Sequence, residues 1–296
     1  MAKLRKIVIP VAGLGTRVLP ASKVIPKEML TVVDKPVIQY VIEEAIGAGF
    51  REIILVTRPS KKSIEQHFEP HDELEAALEA AGKTEPLATV RGILPGGVQI
   101  KTAFQEEPLG LGHAVLCAAP LIGDEDFAVS LPDVLVYNPD GKHARDLCNI
   151  VAEFEHSGAA QIMVEAVADD EVDRYGIVDC GSVEFQPGRS HDVIAVVEKP
   201  AVGSAPSNQS IIGRYVLPAR VMDILRETEP GAGGEIQLTD AIDTLITESP
   251  VQAFSMQGTT CDCGNKLGYL IANIRFGLSH PEIGDGLRKW LREEQF

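Results

Sequence analysis

Short apolar runs alternate with segments of helical spacing along most of the chain. Residues 6–12, Lys-Ile-Val-Ile-Pro-Val-Ala, are apolar and β-branched on both faces, which suits a strand buried in a mostly parallel sheet. A loop punctuated by Gly and Pro follows, through Asp34-Lys35-Pro36. Over 37–48 the apolar positions Val37, Val41, Ala45 and Ala48 share one helical face, and Gly49 suits the position just past the helix end. Residues 52–56 read as a second buried strand, making a strand–helix–strand unit with a long first connection. Helical spacing over 61–68 and 73–81 precedes a strand at 98–104, then a helix at 112–119, a strand at 127–131 ending at Pro132-Asp133, a helix at 146–156 and a strand at 161–166. Between Gly176 and Val216 the pattern shifts to short strands, at 176–179, 193–198 and 211–216, in a background of Gly, Pro and Ser. That stretch predicts a small β lobe inserted into or packed on the sheet. The last third is mostly helical, at 219–227, 237–246, 266–278 and 283–293.

Composition supports a packed α/β protein. The chain has 296 residues, 45% hydrophobic and 24% charged, which suffices for a sizeable core and argues against global disorder. No run approaches the ~20 apolar residues of a membrane helix, and no signal-peptide pattern precedes the first strand. A soluble cytoplasmic protein with no membrane partner is expected. The cysteines, Cys117, Cys148, Cys180, Cys261 and Cys263, are odd in number and contain no CxxC pair, so reduced thiols are expected rather than disulfides or zinc. The formal net charge of −16 excludes a general nucleic-acid binder. Against that background, residues 1–35 carry seven lysines and arginines and only Glu28 and Asp34. Such a positive segment on an acidic chain suits an anionic ligand, or else a solvated face.

The chemistry of that segment is specific. Gly13 and Gly15 follow the first strand, where glycines let backbone N–H groups approach phosphate oxygens. A dinucleotide site would want a third glycine at 18, where Val18 stands, and an immediate helix, which Pro20 and Pro26 block. Arg17 offers a bidentate fork to phosphate, and Lys27 a point charge. This pairing suits a triphosphate, whose leaving pyrophosphate gains charge in the transition state.

The run Ala12-Gly-Leu-Gly-Thr-Arg17, with Leu19-Pro20-Ala21 and Ile25-Pro26-Lys27-Glu28-Met29-Leu30, resembles the signature of the nucleoside-diphosphate-sugar pyrophosphorylases. Further runs match in family order. They are Glu107-Pro-Leu-Gly-Leu-Gly-His-Ala114, Leu131-Pro132-Asp133, Asp173-Arg-Tyr-Gly-Ile-Val178, Val197-Glu-Lys-Pro200, Gly234-Glu-Ile-Gln-Leu-Thr-Asp-Ala-Ile242 and Asp262-Cys-Gly-Asn-Lys-Leu-Gly-Tyr269. The likeness extends from Lys6 to His280, and narrows to the bacterial uridylyltransferases that act on glucose 1-phosphate. Val18 and Thr31 depart from the family pattern, and neither carries a polar role. The resemblance implies a Rossmann-like mixed, mostly parallel sheet flanked by helices, with a small sugar-side β lobe. It implies a single nucleotidyltransferase domain over 1–296, with a nucleotide-binding half at about 1–135, a sugar-phosphate half at about 136–264 and C-terminal helices at about 265–296. UTP and glucose 1-phosphate would be its substrates, Mg²⁺ its cofactor, and a homodimer or homotetramer its assembly.

The family's roles carry over position by position. Ala12, Gly13, Gly15, Thr16, Glu28, Gln105 and Gly110 would bind the nucleotide. Arg17, Lys27 and Lys199 would act on the phosphates. Gly176, Glu198 and Lys199 would bind the sugar phosphate, and Asp133 with Asp262 the metal. Each has a plainer rival in the residues themselves. Asp133 alone reads as a turn carboxylate, and Glu198-Lys199 as an exposed pair. Asp262 is equally a ligand or a helix cap, and His113, after two glycines, suits a structural or capping role. Pro200 predicts an extended backbone at Lys199. Two alternatives in function remain at this point: the same chemistry with dTTP, and a non-catalytic paralogue that only binds a nucleotide sugar.

Overall fold

Residues 6–10 alternate between two apolar faces, and that alternation organises the molecule. Ile7 and Ile9 face one core with Ile53 and Leu55, while Val8 faces a second with Ile54, Val56 and Val129. A strand buried on both faces needs a helical layer on each side, and the computed structural model, which describes residues 4–294 apart from the side chain of Ala232, supplies both. The first core takes in Val37–Gly47, Arg145–Ser157 and Phe276 of Lys266–Ser279; the second takes in Leu111–Cys117, Arg220–Glu227 and Leu238–Ile246. Lys3, part of the positive segment, lies outside the described residues.

The main sheet runs, edge to edge, through Ser190–Asp192, Val251–Ser255, Ala160–Ala166, Gln209–Leu217, Phe127–Ser130, Lys6–Pro10, Glu52–Thr57 and Gln99–Phe104. The last four are mutually parallel. Gln209–Leu217 opposes both of its neighbours, Ser190–Asp192 opposes Val251–Ser255, and Val251–Ser255 runs parallel to Ala160–Ala166. The sheet is therefore mixed and mostly parallel, as expected.

Three local differences have physical reasons. Gly176–Asp179 and Ala195–Glu198 do form an antiparallel pair set off the main run, but Gln209–Leu217 lies in the middle of the sheet. Its Gly213, at φ 84°, and its bulged register beside Ala160–Ala166 break the alternation that would have marked a central strand. A helix at Thr84–Arg91 carries Pro86 in its first turn, where proline's missing N–H is tolerated. Most consequential is a two-stranded ribbon of Val134–Tyr137 and Thr259–Asp262, which pairs Val134 with Asp262. Such short runs, far apart in sequence, carry no periodic signal.

The first strand has Glu52–Thr57 on one side and Phe127–Ser130 on the other, so the chain order reverses beside it. Ligands of open α/β sheets bind at that switch, outside the strand C-termini. The loops that leave there are the glycine loop after Pro10 and Leu131-Pro132-Asp133.

Candidate active site

The glycine loop forms no long helix, as Pro20 and Pro26 require. It breaks into one-turn 3-10 segments at Thr16–Val18, Ala21–Lys23 and Lys27–Met29. Gly15 turns the chain at φ 67°, with the Ser22 hydroxyl donating to its carbonyl at 2.6 Å. A Cβ there would lie 3.2 Å from that of Lys27, so the turn packs directly on the lysine. A Cβ on Gly13 would meet nothing within 4 Å, which leaves the loop open to a ligand.

Two basic side chains converge on Asp133. Lys27 Nζ stands 2.5 Å from Asp133 Oδ2, and the Arg17 guanidinium 3.8 Å from the same oxygen and 3.9 Å from Asp262 Oδ2. The ribbon brings Asp262 to this place, with Cys263 N–H donating to the Asp133 carbonyl at 2.7 Å. A Cβ on Gly264 would sit 2.5 Å from Asp133 Oδ2 and 2.8 Å from both Asp262 Oδ1 and Arg17. One point beside Gly264 is thus within reach of both carboxylates. The helix Lys266–Ser279 is capped by Asn265, whose Oδ1 accepts from Gly268 N–H at 2.8 Å. Asp262 is therefore not the cap. It steadies the capping turn by accepting from Gly264 N–H and Asn265 Nδ2, each at 2.8 Å. Among the described residues, no three His, Cys, Asp or Glu side chains cluster as a metal cage. Two carboxylates suit a hard cation that takes its other ligands from substrate phosphates and water.

Gln105 is buried at the end of its strand. Its Nε2 donates to the Gly110 carbonyl at 3.1 Å and to His113 Nδ1 at the same distance. A backbone carbonyl can only accept, so the amide nitrogen must lie on that side and the amide oxygen is left for a ligand. Gly110 holds φ 104° against Glu235 and Ile236, where a Cβ would come within 2.7 Å. His113 thus steadies Gln105, in keeping with a structural role.

Glu28 lines the cleft, but both of its carboxylate oxygens are taken by Lys61, at 3.1 and 2.8 Å, and Lys61 also donates to the Val11 carbonyl at 2.7 Å. Burial raises the Glu28 carboxyl above its usual range and lowers the Lys61 amine below its own, each opposed by the partner's charge. The geometry makes Glu28 a brace for the loop rather than a free acceptor for a base. Thr16 lies exposed on its turn.

On the other side, Glu198 Oε2 accepts from the Thr239 hydroxyl at 2.8 Å and would lie 3.2 Å from a Cβ on Gly176. Lys199 Nζ is 3.0 Å from Glu198 Oε1. The backbone of Lys199 is not extended as Pro200 suggested. It holds φ 47°, and its N–H donates to the Tyr175 carbonyl at 3.0 Å. A non-glycine residue in that region is strained and needs such anchoring.

Two clefts meet at this centre. One, of about 290 Å³, includes Ala12, Gly13, Lys27, Gln105, Gly110 and Glu235. The other, of about 200 Å³, includes Glu165, Arg174, Tyr175, Thr260 and Asp262. Arg17, Leu131 and Asp133 belong to both. Sequence reasoning gave no role to Lys61, Glu165, Glu235, Thr260 or Gly264. Arg174 and Tyr175 lay inside a quoted motif and could have been singled out as the polar residues beside Gly176.

The fold and this centre define a nucleotidyl transferase. The family model described as nucleotidyl transferase matches residues 6–276, and the chain belongs to that family. Within it, the chain is 53% identical over 293 residues to a UTP–glucose-1-phosphate uridylyltransferase of Escherichia coli K12, covering 99% of this chain and 96% of that protein. The enzyme of the same name from Haemophilus influenzae is 50% identical over 289 residues, covering 97% of this chain and 98% of its own. Among solved structures, a UTP-bound UGPase from Acinetobacter baumannii superposes with a TM-score of 0.92 at 51% identity, covering 99% of this chain and all of that one.

Proposed function

We propose that this chain transfers a uridylyl group from UTP to glucose 1-phosphate, forming UDP-glucose and releasing pyrophosphate. The observation that carries the mechanism is the pair of clefts meeting at Arg17, Leu131 and Asp133, with the cations of Arg17 and Lys27 and the carboxylates of Asp133 and Asp262 gathered at the junction. A phosphate oxygen of glucose 1-phosphate attacks the α-phosphorus of UTP in line. A P–O bond forms there, the α–β phosphoanhydride bond breaks, and pyrophosphate leaves with the electron pair. The attacking group is already an anion, so positioning and charge neutralisation suffice without a general base.

The base sits against Ala12, Gly13 and Gly110, and the Gln105 amide oxygen accepts the N3–H of uracil. Cytosine presents an acceptor at that position, and the mismatch costs ~1–3 kcal/mol. Arg17 and Lys27, the cations already at the junction, receive the triphosphate, with the Gly15-Thr16 turn shaping the loop. Glu198 and the Gly176 backbone hold glucose hydroxyls, and Lys199 the sugar phosphate. Asp133 and Asp262 are hard oxygen donors that can share one cation, which fits Mg²⁺. When bound, Mg²⁺ supplies positive charge between two anionic substrates that would otherwise repel in a cleft of low dielectric. In this reading the nucleotide half runs to about residue 135, the sugar-phosphate half from about 136 to about 264, and C-terminal helices follow from about 265. A cytoplasmic homodimer or homotetramer completes the proposal. Among the described residues no helix is long and apolar enough to cross a membrane.

Asp133→Asn keeps the volume and removes the charge. The fold survives and turnover falls by at least ~10²-fold, the scale of losing one electrostatic stabiliser. Near-normal Mg²⁺-dependent turnover in this variant overturns the assignment.

A further inference from the structure

Arg214 is fully buried in the middle of the sheet, on Gln209–Leu217. Its guanidinium makes four hydrogen bonds. Nε and one terminal nitrogen donate to Glu44, at 3.1 and 2.8 Å, in a bidentate fork. The terminal nitrogens also reach the carbonyl of Leu131 at 3.2 Å and that of Val134 at 2.6 Å. Those two carbonyls bracket Pro132-Asp133. The neighbouring residue reinforces the grip, since Leu131 N–H donates to the Gly213 carbonyl at 2.9 Å and the Leu131 side chain lies over Gly213, where no Cβ would fit.

A buried ion pair is weak support for a fold, because desolvation offsets most of its attraction. Two apolar residues of similar volume would fill the same space as well. What they could not do is donate to two loop carbonyls from fixed directions, which a planar guanidinium locked by a carboxylate does. Glu44 comes from Val37–Gly47, so the device ties that helix, the central strand and the loop together at one point.

We infer that Arg214, oriented by Glu44, is a positioning residue that fixes the Leu131–Val134 turn and so aims the Asp133 carboxylate into the junction of the two clefts. The inference rests on the reading of Asp133 as a metal ligand, and it does not involve substrate contact by Arg214.

The test replaces the pair by apolar residues, Glu44→Leu with Arg214→Met, so that no charge is left buried alone. Folding is checked by circular dichroism and thermal melting. Amide hydrogen exchange over 131–134 is measured without metal, and Mn²⁺ affinity in the presence of UTP by electron paramagnetic resonance. The double variant folds, its loop amides exchange faster, and Mn²⁺ affinity falls by ~10–100-fold, the scale seen when groups that orient a metal ligand are removed. The Michaelis constant for glucose 1-phosphate stays near that of the parent while turnover falls. A folded double variant with parental exchange and parental Mn²⁺ affinity overturns the inference. Should the double variant not fold, Arg214→Lys decides, because it keeps a cation against Glu44 and loses the fixed fork to the carbonyls; unchanged exchange and affinity there overturn it equally. Asp133→Asn runs alongside. If Asp133→Asn leaves Mn²⁺ affinity unchanged, the metal reading fails, and the exchange measurement alone decides the role of Arg214.

Discussion

Gly264 packs directly on the charged junction. A methyl group there falls between Asp133, Asp262 and Arg17, within 2.8 Å of each. Gly264→Ala pushes these groups apart while removing nothing. Turnover therefore falls by at least ~10-fold, since displacements of about 1 Å in a reacting constellation cost up to ~10²-fold, and the melting temperature stays close to the parent's. Parental turnover in Gly264→Ala contradicts the convergence described here. Glu28 and Lys61 make a second residue-scale case. Glu28's carboxyl is raised by burial, so its contribution to stability is present at acid pH and is lost as pH rises through the raised value. Lys61's amine is lowered, so its contribution is present at alkaline pH and is lost as pH falls through the lowered value. Glu28→Gln alone strands a buried ammonium and costs ~3–5 kcal/mol, and adding Lys61→Met recovers more than half of that. Denaturant melts at neutral pH check this, and a single variant as stable as the double contradicts it. On raising pH through the carboxylate range, the parent loses stability relative to the double variant.

At the scale of elements, Lys266–Ser279 is unusual. It buries Ala272, Phe276 and Gly277 and leaves Leu267, Leu270, Ile271 and Ile274 exposed, at the i, i+3, i+4, i+7 spacing of one helical face. An apolar stripe of this kind marks an interaction surface, and a second copy of the chain is the expected occupant. Light scattering is predicted to give a multiple of the 31.8 kDa chain mass, and Leu270→Asp with Ile274→Asp to lower it. A parental oligomer in that variant excludes the stripe from the interface. The elements also mark what sequence could and could not reveal. Buried strands such as Lys6–Pro10 and amphipathic helices such as Val37–Gly47 and Arg145–Ser157 declare themselves by period, and the structure has them within a few residues of their expected ends. The ribbon of Val134–Tyr137 and Thr259–Asp262 does not, because pairing between short distant strands leaves no local trace. With it went the reason that Asp133 and Asp262 meet. Lys61 and Arg214 were illegible for a related cause. A buried cation is recognised only by the carbonyls and carboxylate that surround it, and these come from elsewhere in the chain. Arg17 and Lys27 stand inside the glycine-loop run, whereas Gln105 lies outside the matching runs and rests on the family resemblance alone.

Over the whole molecule, a switch in strand order beside Lys6–Pro10 opens two clefts that share one charged junction. The first cleft holds the Gln105 amide, fixed by the Gly110 carbonyl, and the second is lined by Glu165, Arg174 and Tyr175. The cations and carboxylates at the junction, Arg17, Lys27, Asp133 and Asp262, come from widely separated stretches of the chain. The most direct measurement is pyrophosphate release by the purified protein, with Mg²⁺, over a panel of UTP, dTTP, CTP and ATP against glucose and galactose 1-phosphates. Uridylyl transfer to glucose 1-phosphate predicts fastest release with UTP and glucose 1-phosphate, UDP-glucose as the product, and clearly slower release with CTP and ATP. Equal turnover with ATP, or no pyrophosphate with UTP and glucose 1-phosphate, would contradict it.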